Sequence, residues 1–141
     1  MQASHLIVYV ADTDATIAFW CKGMGGVLEQ DEELAAPALD AIFGRKGVRI
    51  RDTFIRIGGV RLHTIEPLDV RASGARRKPR SGGIEGLSFE VPDIGSAHAR
   101  ATAEGLRPTP IYDFTGIEKP CRMFFLDDPD GIRVEMIEYL R

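Results

Sequence analysis

The sequence has little cysteine, no long apolar run and no excess of positive charge, and each absence excludes a class of protein. Its two cysteines, Cys21 and Cys121, form no CxxC pair, so we expect neither a disulfide framework nor a thiol redox motif. No apolar stretch approaches the roughly 20 residues that span a bilayer, and no secretory signal pattern precedes the first apolar run. The formal net charge of −3 disfavours nucleic-acid binding, which needs clustered positive charge. We therefore expect a cytoplasmic protein that binds a small molecule, with neither a membrane nor a nucleic acid as partner.

The first half of the chain alternates between strand-like and helix-like patterns. With 141 residues, 44% of them hydrophobic, the chain has the size of a single domain, residues 1–141. A β-branched run at residues 5–10 precedes a segment with helical spacing at residues 14–24. The predicted strands 27–34, 51–57 and 60–66 follow, the last two joined by the turn signal Gly58-Gly59. Residues 35–47 form an insertion in which a helical turn is expected.

The second half repeats this order after a linker. Residues 70–83 are rich in Gly, Ser, Pro and Arg and lack apolar periodicity, which predicts a linker between modules of about residues 1–69 and 84–141. Its basic residues suit either a solvated linker, which we favour, or a clamp for a phosphate-bearing ligand. A strand at 86–91, a helix from Asp93 to Gly105, and strands at 106–112, 121–126 and 132–139 are then expected. The order predicts two tandem βαβββ modules, an α+β fold with a curved mixed sheet shaped like a cup.

The repeat is also visible residue by residue. HLIVYVAD (residues 5–12) lies over GLSFEVPD (86–93), and GVRLHTIEPL (59–68) lies over GIRVEMIEYL (131–140). Because side chains alternate between the faces of a strand, the aliphatic positions should face the helices and the intervening positions the cup. Positions 5, 63, 86 and 135 are then four equivalent inward positions. They hold His5, His63, Gly86 and Glu135.

Two imidazoles and one carboxylate are a ligand set for Fe(II), Ni(II), Zn(II), Mn(II) or Co(II). We therefore predict a divalent metal held by His5, His63 and Glu135. A single histidine on a strand is more often a structural residue than a metal ligand. Glu135 at an equivalent position favours the metal, because an unpaired carboxylate in a protein interior is costly without a cation or hydrogen-bond donors. His98, in the second helix, is expected at the surface, and Glu66 and Glu138 are expected to be solvent-facing charges on the other face.

Several other side chains share the inward face and are predicted to line a pocket. They are Ile7, Tyr9, Arg61, Ile65, Gly86, Ser88, Arg133 and Ile137. For Arg61 and Arg133 two roles stay open: orienting an anionic substrate, or pairing with acids near the strand starts.

These motifs resemble the vicinal oxygen chelate superfamily over nearly the whole chain. The most specific of them is DDPDGIRVEMIE, in which DPDG precedes a strand with an inward Glu. The superfamily includes glyoxalase I, methylmalonyl-CoA epimerase, extradiol dioxygenases, fosfomycin-resistance enzymes and bleomycin-resistance binding proteins. The resemblance implies a metal held by the first and last strands of each module, hence by His5, His63 and Glu135. Gly86 departs from the pattern, because the superfamily commonly supplies a histidine there.

The resemblance implies lyase or isomerase chemistry through an enediolate, with Glu135 moving the proton. The same ligand set with Fe(II) also suits an extradiol dioxygenase, and Gly86 favours a non-catalytic small-molecule or antibiotic-binding protein. Metal-free catalysis by His5 or His63 is a further alternative. A homodimer is expected, since an open cup exposes apolar edges that a second copy would cover.

Overall fold

The computed structural model of the chain describes residues 3–70, 84, 86–115 and 119–140. It divides the chain into two compact units, Met1–Ala75 and Arg76–Arg141. Each unit contains a four-stranded mixed sheet, and the strand order of the first sheet is repeated in the second. The α+β class and the two tandem βαβββ modules are therefore confirmed. The predicted linker lies outside the described residues, except for Val70.

The first unit is a mixed sheet with helical segments on both faces. Its elements are β1 (Leu6–Tyr9), α1 (Thr13–Ile17), a π-helical continuation (Ala18–Gly23), β2 (Val27–Leu34), α2 (Pro37–Phe43), β3 (Ile50–Ile57) and β4 (Val60–Pro67). The sheet order is β1-β4-β3-β2, with β1 parallel to β4 and the other pairs antiparallel. The Gly58-Gly59 turn places Ile57 opposite Val60, as its sequence predicts. The helical turn expected in the insertion is α2, which ends at Gly44 with a φ of 65°.

The second unit repeats the sheet with a single helix. Its elements are β5 (Gly86–Glu90), α3 (Ile94–Ala103), β6 (Tyr112–Phe114), β7 (Cys121–Asp127) and β8 (Arg133–Tyr139), in the sheet order β5-β8-β7-β6. The prediction of a strand over residues 106–112 is wrong, since β6 begins only at Tyr112. Pro108 and Pro110 carry no backbone N–H, so this segment cannot form a continuous ladder. It keeps a backbone bond to β7, from the N–H of Thr109 to the carbonyl of Phe125 at 2.9 Å.

Each sheet has a buried face beneath its helices. In the first unit α1 and the π-helical segment bury Trp20, Ile55 and Leu62, each at most 1% exposed. The other face of that sheet carries a separate apolar cluster. It consists of Val48, Ile50 and Ile65, packed with Leu34, Leu39 and Phe43. The side chains packed in the second unit include Ile94, Phe124 and Val134, all fully buried. No helix within the described residues is long and apolar enough to cross a membrane.

The duplicated glutamates Glu66 and Glu138 serve the helices rather than the solvent. Glu66 Oε2 accepts a hydrogen bond of 2.9 Å from the backbone N–H of Thr13, and Glu138 Oε2 accepts one of 2.9 Å from Ile94. Both are half-buried on the helix face of their sheets. The expectation of solvent-facing charges is therefore wrong. A carboxylate near the positive end of a helix satisfies a free N–H and interacts favourably with the helix dipole.

Removing either carboxylate should cost stability. We expect Glu66→Ala and Glu138→Ala each to lower the free energy of unfolding by about 1 kcal/mol, the usual value of a helix cap. Urea unfolding followed by circular dichroism measures this. Glu33→Ala is the matched control, because the Glu33 side chain is exposed and forms a surface ion pair with Arg49. A Glu66→Ala loss no larger than that of the control would contradict the capping role.

Candidate functional site

The structure brings the two predicted histidine ligands together in the first unit. His5 immediately precedes β1, and His63 lies in the neighbouring strand β4. Their ring centroids are 5.2 Å apart, with the rings nearly perpendicular at 78°. His5 is exposed, and its Nδ1 lies 2.9 Å from Ser4 Oγ. The His63 side chain is more enclosed, at 16% exposure.

His63 is held by a residue that the sequence analysis missed, Asp52 of β3. The Nε2 atom of His63 is hydrogen-bonded to Asp52 Oδ1, and the Asp52 side chain is only 8% exposed. The ring also stacks on Phe54, with centroids 4.4 Å apart and an interplanar angle of 12°. The other ring nitrogen, Nδ1, is buried and has no hydrogen-bond partner among the described residues. His63 is thus held by Asp52 and Phe54, and its Nδ1 has no partner among the described residues.

The second unit holds the predicted carboxylate. Glu135 of β8 is half-buried, and Ser88 of β5 lies directly opposite in the parallel register. Ser88 Oγ donates a hydrogen bond of 2.6 Å to Glu135 Oε2. One carboxylate oxygen is therefore oriented by a hydroxyl donor, in agreement with the prediction that both side chains share a face.

Gly86 is a glycine because its strand approaches its neighbour too closely for a side chain. A Cβ built on Gly86 would lie 2.1 Å from the carbonyl oxygen of Arg133, the residue paired with it in β8. Real Cβ atoms essentially never come within 3.0 Å of such an atom. The position that commonly supplies a histidine is therefore closed to any side chain in this backbone.

The surroundings of His63 and Glu135 repeat between the two units. Phe54 lies opposite His63 on the adjacent strand, and Phe125 lies opposite Glu135. The guanidinium of Arg61 stacks over Phe54 at 4.0 Å, and that of Arg133 lies 5.5 Å from the Phe125 ring centroid. The duplication thus extends from the candidate ligand to its strand neighbours.

The two arginines also pair with acids. Arg61 Nε lies 2.6 Å from Glu29 Oε2, and Arg133 Nε lies 3.4 Å from Asp127 Oδ1. Hydrogen bonds from Arg61 and Arg56 lower the pKa of Glu29 below its ordinary value. Arg61 and Arg133 therefore pair with acids, and their role in orienting an anionic substrate stays a prediction.

The other predicted pocket residues differ in exposure. Ile7 and Tyr9 are 56% and 60% exposed on β1, and the Tyr9 ring lies edge-on to Phe43 of α2 at 6.1 Å. Ile65 and Ile137 are buried, Ile65 within the apolar cluster beside α2. Ile7 and Tyr9 therefore offer the accessible apolar surface among these predicted residues.

His98 is not the surface residue that was expected. Its Nε2 lies 3.0 Å from the carbonyl oxygen of Thr109, and its ring packs edge-on against Phe124 at 5.1 Å. It is half-buried because it faces the sheet from α3. This histidine has a structural role.

Histidine and carboxylate donors suit a divalent metal by their chemistry. Metal-bound histidines usually donate their second ring N–H to a carboxylate, which is the relation of His63 to Asp52, and the buried Nδ1 lacks a partner among the described residues. The described residues contain no group of three or more His, Cys, Asp or Glu side chains that could hold an ion. The predicted set of His5, His63 and Glu135 draws on both units and remains a prediction.

Two βαβββ modules with polar groups at equivalent strand positions define a duplicated α+β protein. The sequence matches the family model "Glyoxalase/Bleomycin resistance protein/Dioxygenase superfamily" over residues 2–136. The chain therefore belongs to this superfamily. No match was found among curated proteins.

Solved structures share this fold at low sequence identity. A glyoxalase family protein from Bacillus cereus is 18% identical, with a TM-score of 0.79 over 100% of this chain and 95% of that one. A glyoxalase family protein from Enterococcus faecalis is 20% identical, with a TM-score of 0.74 over 97% of each chain. A lactoylglutathione lyase from Agrobacterium tumefaciens is 20% identical, with a TM-score of 0.59 over 97% of this chain and 92% of that one. At such identities these similarities concern the fold alone.

Proposed function

We propose that the protein is a metal-dependent lyase or isomerase that moves a proton next to a carbonyl group of a small, oxygen-chelating substrate. The observation that carries the proposal is the equivalence of His63 and Glu135. Each lies opposite a phenylalanine on the adjacent strand, and each of these rings has an arginine beside it. Superfamily membership and the ring contact between His5 and His63 add support.

His5, His63 and Glu135 would hold the ion, which is Fe, Ni, Zn, Mn or Co by the chemistry of these donors. Three protein ligands leave open positions for substrate oxygens. When bound, such an ion supplies Lewis-acid stabilisation of the negative charge that develops on a substrate oxygen as the proton leaves.

Glu135 is the group proposed to take and return the proton. Its carboxylate accepts the proton from the carbon beside the carbonyl and delivers it to the product carbon, so that no net proton is consumed. Ser88 orients this carboxylate through the hydrogen bond of 2.6 Å to Oε2, which leaves Oε1 for the substrate. Ile7 and Tyr9 offer an apolar surface for the rest of the substrate.

Metal uptake tests the proposal directly. The protein, purified without chelator or immobilised nickel, should contain a divalent ion and should bind one ion per site in titrations followed by calorimetry. His63→Ala and Glu135→Ala should each weaken this binding at least about tenfold, because each removes one ligand. His98→Asn is the matched control, since the His98 side chain contacts the Thr109 carbonyl and the Phe124 ring and is not a proposed ligand.

Uptake by the wild type no greater than by His63→Ala and Glu135→Ala would contradict the metal proposal. The loaded protein is then assayed on the hemithioacetal of methylglyoxal and glutathione, on methylmalonyl-CoA and on catechols. Turnover of the first or second supports proton transfer. Oxygen-dependent turnover of catechols alone would replace it with an extradiol dioxygenase activity.

The close approach at Gly86 favours a second candidate, a non-catalytic binding protein for a small molecule or antibiotic. A site that lacks one ligand side chain can hold an organic molecule without a metal. This candidate predicts ligand-induced thermal stabilisation that survives excess EDTA. Stabilisation that EDTA abolishes would favour the enzyme.

We also propose a homodimer, in keeping with the exposed apolar side chains of Val27 and Leu28 on the edge strand β2. Light scattering coupled to size-exclusion chromatography should give about twice the 15.5 kDa chain mass. A monomeric mass across the micromolar range would contradict it.

A further inference from the structure

We infer that Asp52 is a positioning residue, which fixes His63 with its proton on Nε2 and so presents an unprotonated Nδ1 to an incoming divalent cation. The inference deepens the proposed function and, for its metal-binding part, rests on it. It assigns a role to a residue outside the three predicted ligands.

The contact with Asp52 decides which ring nitrogen of His63 carries the proton. An ionised carboxylate can only accept hydrogen bonds, so the contact between Asp52 Oδ1 and His63 Nε2 requires a proton on Nε2. A neutral imidazole carries a single N–H, and the other nitrogen then has a free lone pair. Asp52 thereby determines that this lone pair is on Nδ1.

The lone pair on His63 Nδ1 has nothing to bind within the described part of the chain. Nδ1 is buried and has no hydrogen-bond partner among the described residues. Leaving a buried polar atom without a partner costs about 1–3 kcal/mol, so such atoms are uncommon unless something binds to them. A divalent cation is an electron-pair acceptor, which suits an unprotonated imidazole nitrogen.

The imidazole ring of His63 is held in place by its neighbours. Phe54 stacks on one face of His63 at 4.4 Å, while His5 meets it edge-on at 5.2 Å. Asp52, itself 8% exposed, lies on β3, which pairs with β4 along its whole length in one hairpin. The ring therefore has little freedom to rotate or to exchange its tautomer while the Asp52 bond persists.

Nuclear magnetic resonance of the ¹⁵N-labelled protein, recorded without metal, reads the tautomer directly. Long-range ¹H–¹⁵N correlation distinguishes a protonated from an unprotonated ring nitrogen, and His63→Gln identifies the His63 signals. We expect a single tautomer in the wild type, with the proton on Nε2. Asp52→Asn should mix or reverse the tautomers, because its amide NH₂ can donate to Nε2. Asp52→Glu, which keeps a carboxylate, should restore the Nε2–H form at least in part.

The matched control is Asp31→Asn, since Asp31 lies on the opposite face of the same sheet and pairs with Arg51 at 2.8 Å. It should leave the His63 tautomer unchanged. Two results would overturn the inference: a wild-type His63 protonated on Nδ1 or populating both tautomers, or an Asp52→Asn spectrum identical to the wild type. If Asp52→Asn fails to fold, the wild-type spectrum alone still tests the inference, because it shows which nitrogen of His63 is protonated.

Calorimetric titration with Zn(II) or Ni(II) then measures the consequence. Asp52→Asn should weaken metal binding 10- to 100-fold, the usual effect of removing a carboxylate behind a histidine ligand. If the wild type binds no metal but shows a fixed Nε2–H tautomer, the proposed function fails and the positioning role of Asp52 stands. If metal binding depends on His63 but not on Asp52, the inference fails and the proposed function stands.

Discussion

Gly86→His is expected to destabilise the protein by about 2 kcal/mol or more, and not to complete the ligand set. Any side chain at this position begins with a Cβ that would lie 2.1 Å from the Arg133 carbonyl oxygen, a backbone atom with no rotamer by which to move away. The two strands would have to separate, which disturbs the parallel ladder of β5 and β8. Urea unfolding followed by circular dichroism measures the loss.

Gly86→Ala isolates the contribution of the Cβ, and Gly59→Ala is its matched control. Gly86→Ala should lose most of the same stability, because the clash involves the first side-chain atom. At Gly59 an added Cβ meets nothing within 4 Å, so Gly59→Ala should be neutral to within about 0.5 kcal/mol. Equal stability of Gly86→Ala and Gly59→Ala would show that the strands can part at little cost.

The duplication made most of the fold predictable. Residues 59–68 and 131–140 share a pattern of alternating side chains. They form β4 and β8, which occupy equivalent places in the two sheets: β4 lies between β1 and β3, and β8 lies between β5 and β7. Strand β2 was predicted with its observed bounds, because VLEQDEEL is preceded by the helix-ending Gly25-Gly26. The predicted position of β6 was wrong because it followed the apolar and β-branched residues of this segment, whereas its two prolines have no backbone N–H to donate to a strand ladder.

Asp52 could have been found from the sequence alone. A two-residue turn at Gly58-Gly59 makes Ile57 and Val60 partners, and counting back along both strands places Phe54 opposite His63 and Asp52 opposite Ile65. Asp52 then lies on the same face of the sheet as His63. The two residues are diagonal neighbours on adjacent strands, so their side chains can meet. The hairpin register therefore contains this pairing, whereas the repeat between the halves relates equivalent positions only and does not reveal it.

The constraint on Gly86 was not available from the sequence. A glycine at a strand start can reflect a bulge, a missing ligand or a close approach of two backbones, and these differ only in interstrand distance. That distance depends on how β5 meets β8, which no local pattern encodes. The roles of Glu66 and Glu138 were hidden for a similar reason, since each contacts a helix N-terminus far away in sequence.

Glu135→Gln is expected to lower turnover by 10²- to 10⁴-fold on whichever carbonyl substrate the loaded wild type converts, the usual effect of removing a general base. The amide is nearly the same size and keeps an oxygen that can accept from Ser88 Oγ, now 2.6 Å from Glu135 Oε2. It has no basic oxygen with which to take a proton. Steady-state kinetics at saturating metal separate this loss from weaker metal binding, because the base is needed even when the ion is present.

Glu138→Gln provides a matched control for that measurement. It makes the same chemical change three residues further along β8, on the helix face, where an amide oxygen can still accept from the Ile94 N–H. Its turnover should therefore stay within about threefold of the wild type, since a surface or capping change away from the site alters no reacting group. If Glu135→Gln at saturating metal were as active as Glu138→Gln, another group would have to move the proton. His5, exposed and 5.2 Å from the His63 ring, would then be the first residue to replace.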